Sequence, residues 1–178
     1  MRVDLKHRRD LSMEEEQATA ALSEAVYPPE TRDRRPSERI VWAETHWVVL
    51  LTDPAGSLIS MAGLLARQAR HDDKPVRIGG LGNVKTHPEA RRQGYAEAVV
   101  HEARRFLQEH GGLDFALLFC RAHNVPFYRK RGWQTFRGNV LVEQPQGTVR
   151  FTAYEVMCQD LDHPAPEAGT IDLCGQPW

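Results

Sequence analysis

The most informative absences in this chain are of cysteine, of net charge and of any long apolar run. Its three cysteines, Cys120, Cys158 and Cys174, are odd in number and widely spaced. That argues against a disulfide framework and a zinc site, and for a reducing compartment, with the cytoplasm as the plain reading. With 23 basic and 24 acidic residues the net charge is −1, which implies no general affinity for nucleic acid or an anionic membrane. No apolar stretch approaches the roughly 20 residues that span a bilayer. The first ten residues are too charged to form the apolar core of a signal peptide. There is no internal repeat and no low-complexity segment. What is present is an ordinary globular composition, 41% hydrophobic and 26% charged over 178 residues. The expectation is a single domain, residues 1–178, burying about two-thirds of its unfolded surface.

The chain is organised around Asn83-Val84-Lys85-Thr86-His87-Pro88-Glu89-Ala90-Arg91-Arg92-Gln93-Gly94-Tyr95-Ala96. This reads as the end of a strand, a turn at Pro88, a short basic loop and the start of a helix at Gly94. Ala96, Val99, Val100, Ala103 and Leu107 follow at helical spacing and give one apolar face. A loop that delivers free backbone N–H groups to a helix N-terminus is an anion site. Arg91 and Arg92 add positive charge, and Gly94 and Ala96 let a phosphate approach the backbone. No Lys-Ser/Thr follows the last small residue, as a P-loop needs, and no ribose-binding acid ends a following strand.

The remaining elements are legible in order. Ser12 caps a first helix that runs to about Val26, with Glu14, Glu15 and Glu16 at its positive end, and Pro28 and Pro29 stop it. Residues 30–36 form a charged loop, and Ser37 is expected to cap a short helix to about Glu44, with Ile40, Val41 and Trp42 facing inward. A strand from His46 to Asp53 turns at Asp53–Gly56 into a partner from Ser57 to Arg67. A polar turn at Gln68–Pro75 precedes a third strand, Val76 to Thr86. After the long helix to about Glu109, ended by Gly111-Gly112, the apolar run Phe115–Cys120 is a strand covered on both faces. A short helix from Asn124 to Lys130, two strands near 133–137 and 150–158, and a Pro-rich connection complete the pattern. The order α-α-β-β-β-α-β-α-β-β makes an α/β layer with a central sheet.

Three pieces in register resemble the GNAT superfamily of acetyl-CoA-dependent N-acetyltransferases. Arg91-Arg92-Gln93-Gly94-Tyr95-Ala96 is similar to the family's Arg/Gln-x-x-Gly-x-Gly/Ala loop, and Phe127-Tyr128-Arg129-Lys130-Arg131-Gly132-Trp133 to its late Phe-Tyr-x-x-x-Gly-Phe/Trp signature. The order of strand, long helix, apolar strand and short helix between them is the third. The resemblance implies a mixed, mostly antiparallel sheet with a splayed strand pair, flanked by helices. It implies acetyl-CoA as co-substrate without a metal, a small-molecule amine as partner, and leaves a homodimer open. The pantetheine arm would complete the ladder at Val84 and Thr86, with Lys85 between them in the cofactor-binding set. Backbone N–H groups from Arg92 to Ala96 would take the diphosphate, and Asn124 would touch the cofactor arm. Tyr128 would protonate the departing thiolate. Many relatives carry a glutamate base on the splayed strand, but Gly80-Leu81-Gly82-Asn83 holds no carboxylate, and Gly82 stands where that base is expected.

A finer resemblance, to the aminoglycoside 2′-N-acetyltransferases, rests on Gln134-Thr135-Phe136-Arg137-Gly138 and the final Trp178. It implies acceptor contacts at Trp178 and at acidic groups such as Glu30, Asp33 and Glu44. Gln176 stands where relatives carry an acid, so a smaller or less cationic aminosugar such as kasugamycin fits as well as a multi-amine drug. Plain readings stand beside these: solvated charges for Glu30, Asp33 and Glu44, a packing role for Tyr128, and a tail anchor for Trp178. An acetyltransferase for a protein N-terminus, a lysine or a metabolite amine, and a non-catalytic acyl-CoA sensor, are the other classes the fold admits.

Overall fold

The Ser12-x-x-Glu15 pattern shows how local sequence sets the first helix. In a computed structural model, which describes residues 1–28 and 40–178, Ser12 Oγ accepts from the Glu15 N–H at 3.2 Å and Glu15 returns a bond to the Ser12 N–H at 2.9 Å. This capping box starts α1, Met13–Val26. α2 is Tyr95–His110 and α3 is Val125–Arg129. The strands are β1 Arg2–His7, β2 Trp47–Thr52, β3 Leu58–His71, β4 Lys74–Thr86 and β5 Phe115–Cys120. They continue with β6 Gln134–Thr135, β7 Asn139–Gln144, β8 Gly147–Arg150, β9 Glu155–Asp160 and β10 Thr170–Asp172. The strands belong to one mixed sheet in which β4–β5 and β10–β7 run parallel and the other described registers are antiparallel. The fold is α/β, a mixed, mostly antiparallel sheet with helices.

The chain divides into two compact units. The first comprises Met1–Glu38, Thr45–Leu65 and Gly82–Phe106. In it β1 pairs with β2 from Arg2↔Thr52 to His7↔Trp47, and β2 pairs with β3 from Trp47↔Leu64 to Thr52↔Leu58. α1 closes over this sheet: Leu22 packs with Val48, Leu50 and Met61, joined by Leu11, Val26 and Leu58. Burying such side chains is worth roughly 1.5–3 kcal/mol each, which gives α1 the support its weak apolar stripe does not.

The second unit comprises Arg39–Glu44, Ala66–Leu81 and Leu107–Trp178. β5 pairs antiparallel with β9 from Phe115↔Asp160 to Cys120↔Glu155, and parallel with β4 from Ile78↔Phe115 to Leu81↔Leu118. The β4–β5 register ends there, although β4 itself continues to Thr86. As expected of a strand covered on both faces, Phe115, Ala116, Leu117 and Leu118 are all buried. β10 pairs with the end of β3 at Ile171↔His71 and with β7 at Ile171↔Val140.

Several sequence expectations need correction. Residues 40–44 form no helix: Val41 N–H donates to Gln144 Oε1 at 2.9 Å and Ala43 N–H to the Pro177 carbonyl at 2.6 Å, and Val41 is 40% exposed. Their hydrogen bonds go to distant partners, so the local capping signal at Ser37, itself outside the described residues, does not decide them. β3 runs into the stretch expected as a polar turn, to His71, and the reversal is only Asp72-Asp73, both at positive φ (46° and 64°). The strand expected near 150–158 is instead the end of β8 followed by β9. β1, the β7–β8 hairpin and β10 are additions to the elements read from the sequence.

Candidate active site

In the first unit the basic loop is built by three unusual backbone states. The turn at Pro88–Ala90 is a single 3-10 turn, Arg92 takes φ 65° and Gly94 φ 83°. These left-handed residues swing the chain into α2, and the first helical bond runs from the Ala98 N–H to the Gly94 carbonyl at 3.0 Å. The N–H groups just ahead of it therefore have no acceptor within the helix. A Cβ built on Gly94 would meet no atom within 4 Å, so the backbone at Gly94 faces open space. Arg91, Arg92 and Gln93 are exposed there; Tyr95 Oη donates to Gln93 Oε1 at 3.1 Å, and Ala96 is half-buried. Open space, a helix N-terminus and two guanidinium groups together suit a phosphate ester. The residues present fit the diphosphate of a coenzyme A thioester.

The end of β4 leads into that loop. Asn83 has φ 51°, which breaks the alternation of the strand, and Val84, Lys85 and Thr86 after it are half-buried. Buried Ser60 places its Oγ 2.9 Å from both the Lys85 carbonyl and Thr86 Oγ1. One hydroxyl proton cannot serve both, so when Ser60 donates to the carbonyl, Thr86 donates to Ser60. Lys85 turns away from this bond. Its Nζ donates to Ser23 Oγ on α1 at 2.8 Å and stands 5.8 Å over the Tyr27 ring. Burial, with Arg8 as a nearby like charge, pulls this ammonium from its ordinary 10.5 down to about 8.

In the second unit Asn124 and Tyr128 belong to one short segment. A 3-10 turn, Ala122–Asn124, feeds α3; Asn124 is exposed and its side chain caps nothing. Tyr128 is buried, edge-on to Phe127 at 5.0 Å and to Trp133 at 6.3 Å. Its carbonyl accepts from the N–H groups of Arg131 and Trp133 at 2.8 and 3.3 Å, and Gly132 makes this turn at φ 84°. Arg131 stacks its guanidinium 3.7 Å from the Phe127 ring centre and donates to the Phe127 carbonyl at 2.7 Å. The Phe-Tyr-x-x-x-Gly-Trp signature thus folds into one locked turn.

The same unit shows what faces Gly80, the first residue of the carboxylate-free stretch Gly80-Leu81-Gly82-Asn83. A Cβ on Gly80 would lie 2.6 Å from both Cζ2 and Nε1 of Trp178, so the indole occupies the place of any side chain there. The residue beneath the indole is Gly80, two positions before Gly82, the glycine singled out from sequence. Trp178 is 4% exposed, meets Phe119 edge-on at 5.4 Å and has the Arg67 guanidinium 5.6 Å from its ring. Arg67 Nη1 donates to the Gln176 carbonyl at 2.6 Å, which ties the tail down, and burial lowers the proton affinity of this arginine. Phe119 continues into an aromatic group with Phe151 at 4.5 Å and Trp42 at 6.4 Å. Glu44 is exposed on the segment beside these rings, whereas Glu30 and Asp33 lie outside the described residues.

Cys120 and Cys158 are buried and Cys174 is exposed; all are free thiols. Burial raises the Cys120 thiol to about 11, and raises Cys158 as well. Among the described residues no group of three or more His, Cys, Asp or Glu could hold a metal ion, and no helix is long and apolar enough to cross a membrane. Neither the indole over Gly80 nor the destination of the Lys85 amine had a signal in the sequence.

Comparison with known proteins gives these features a setting. Residues 7–136 match the family model described as the acetyltransferase (GNAT) domain. The chain is similar in structure to ElaA of Escherichia coli, at 17% identity and TM-score 0.64, over 89% of this chain and 99% of that one. It is similar to the N-acetyltransferase YhbS of Escherichia coli in complex with CoA, at 14% identity and TM-score 0.62, over 97% and 90%. A GNAT acetyltransferase of Brucella melitensis in complex with acetyl-CoA follows at 12% identity and TM-score 0.59, over 96% and 94%. At these identities the likeness speaks to the fold. No curated protein matches the sequence.

Proposed function

The chain belongs to the GNAT acetyltransferase family, and from that premise we propose that residues 1–178 act as one N-acetyltransferase domain whose acceptor is the primary amine of an aminosugar. A small or weakly cationic aminosugar antibiotic such as kasugamycin is the specific reading, with resistance as its consequence. The observation that carries the donor half is the open space at Gly94, at the start of α2, beside Arg91 and Arg92. Acetyl-CoA supplies an activated thioester carbonyl. The loop from Arg91 through Gln93, Gly94 and Tyr95 to Ala96 holds its diphosphate, and the backbone at Val84, Lys85 and Thr86 aligns its arm. Asn124, exposed ahead of α3, is the second contact for that arm.

Tyr128 is the proton donor in this reading. A phenol near pKa 10 can hand its proton to a thiolate whose conjugate acid is near 8.5 as the C–S bond breaks. Gly82 stands where many relatives carry a carboxylate base, and two residues before it the Trp178 indole fills the place of any side chain on Gly80. The acceptor amine therefore reaches the site neutral or gives its proton to water. Trp178 and Glu44 are the described residues assigned to the acceptor, with Glu30 and Asp33 as further carboxylates. The three free thiols support a cytoplasmic setting.

Thiol release from acetyl-CoA against a panel of aminoglycosides, kasugamycin, polyamines and peptides tests the whole reading. Turnover is expected with kasugamycin or another aminosugar, and turnover confined to peptides would remove the acceptor assignment. Tyr128→Phe should lower kcat by about 100-fold or more while leaving the affinity for acetyl-CoA intact. An unchanged kcat would reduce Tyr128 to a packing residue.

A further inference from the structure

In the second unit, the point where the β4–β5 ladder ends is closed from three directions. The parallel register starts at Ile78↔Phe115 and stops at Leu81↔Leu118, and β4 continues to Thr86 without it. In the plane of the sheet, those last rungs are the foot of the split. Its two faces are closed over adjacent glycines. A Cβ on Gly80 would lie 2.6 Å from Cζ2 and Nε1 of Trp178. Gly79 faces the other way along the strand, and a Cβ there would lie 2.9 Å from Leu107 Cδ2 and 3.2 Å from Leu113 Cδ1. Leu81, Leu107, Leu113, Leu118 and Trp178 are all buried. The indole is also held in place. Ala43 N–H donates to the Pro177 carbonyl and Arg67 Nη1 to the Gln176 carbonyl, both at 2.6 Å. Glu143 N–H donates to the Gly175 carbonyl at 3.0 Å, so three consecutive carbonyls before Trp178 are tied from outside the tail.

We propose that the Trp178 indole, seated on Gly80, is the stop that limits the length of the acyl chain carried by the donor. This rests on the donor half of the reading above, and it adds to the acceptor role of Trp178 one toward the thioester. With the diphosphate at Gly94 and the arm along Thr86 and then Val84, the donor runs back down β4. Its acyl end therefore points at Leu81, the foot of the split. A short acyl group ends before the wall. Each further methylene drives the chain into it, and a close-packed wall has no void to receive one. The affinity that extra apolar surface would otherwise add is lost there. Acetyl is accepted and medium-length acyl chains are refused.

Calorimetric titration of the intact protein with CoA and with acetyl-, butyryl-, hexanoyl- and octanoyl-CoA tests this without any amine. Wild type should bind acetyl-CoA about as tightly as CoA, and octanoyl-CoA about tenfold more weakly or worse. Trp178→Ala should bring octanoyl-CoA to within about twofold of acetyl-CoA, and Trp178→Leu, a milder change to the packing, should fall between. Each protein is judged by its own ratio of octanoyl-CoA to acetyl-CoA affinity, so a general loss of binding cancels. Affinities in wild type that stay level or rise with chain length overturn the proposal and leave the donor reading standing. That comparison needs no variant, so it decides even where a substitution fails to fold. A full penalty that persists in either folded variant places the stop elsewhere and overturns the proposal as well. No binding of CoA itself would overturn the donor reading, and the proposal with it.

Discussion

Gly94 and Gly80 are the same residue put to opposite uses. At Gly94 the backbone is left-handed and nothing stands within 4 Å of a Cβ; at Gly80 a Cβ would collide with the Trp178 indole. The first glycine faces open space, and the second gives a space up to the protein's own side chain. The lesson is that a glycine near a candidate site does not by itself mark a binding surface. What lies in front of it decides, and that is a tertiary fact.

Substitution separates the two uses. The largest effect is expected at the closed glycine's partner: Trp178→Ala should lower the unfolding free energy by about 3 kcal/mol, as for other buried aromatics. Gly80→Leu should cost about as much, because the indole must leave. Gly80→Ala with Trp178→Ala should cost well under the sum of the single changes, since each removes the other's obstacle. Additive values in urea unfolding would mean that the indole does not rest on Gly80.

An intermediate effect belongs to Lys85. Its folded pKa of about 8 lies below the ordinary 10.5, so the folded protein gives up this proton before the unfolded chain does. Below about pH 8 both states hold it and the fold bears the full cost of a half-buried charge. Between about 8 and 10.5 the unfolded chain binds more protons, and stability rises with pH. Lys85→Met should therefore exceed wild type by about 2 kcal/mol near pH 7, with the advantage shrinking as pH approaches 10.5. Unfolding curves for the two proteins across that range check the sign, and an advantage that grows with pH would refute it.

The smallest change in stability is expected at the open glycine. Gly94→Ala should cost only about 1 kcal/mol, the strain of a positive φ, because no neighbour is displaced. Its effect on acetyl-CoA should be larger in proportion, about a tenfold rise in KM, since the methyl group enters the space proposed for the diphosphate. A rise in KM at Gly80→Ala with none at Gly94→Ala would invert the comparison.

The sequence reveals one of these glycines and hides the other. Gly94 sits inside a loop motif followed by a helix with a clear apolar face, so its neighbours in the chain declare it. The partner of Gly80 is Trp178, and no local pattern links the two positions. The elements divide in the same way. α1 was legible through Ser12 and Glu15, and β5 through its unbroken apolar run. β1 was missed because Arg2, Asp4 and Lys6 mask a strand that depends on β2 for its pairing. β10 is only Thr170–Asp172 and exists through partners at His71 and Val140. Ser37 as a cap and the apolar Ile40, Val41 and Trp42 suggest a helix to about Glu44, yet the hydrogen bonds of Val41 and Ala43 run to Gln144 and Pro177. Short segments stabilised by remote partners carry little local signal.

The placement of the thiols has a practical consequence. Cys120 and Cys158 are sealed within the second unit and held protonated by burial, whereas Cys174 is exposed at the start of the tail that carries Trp178. A maleimide dye should thus couple at one position without any engineered cysteine. Attached four residues before the indole, it becomes an optical gauge of whether the tail stays seated while a substrate binds.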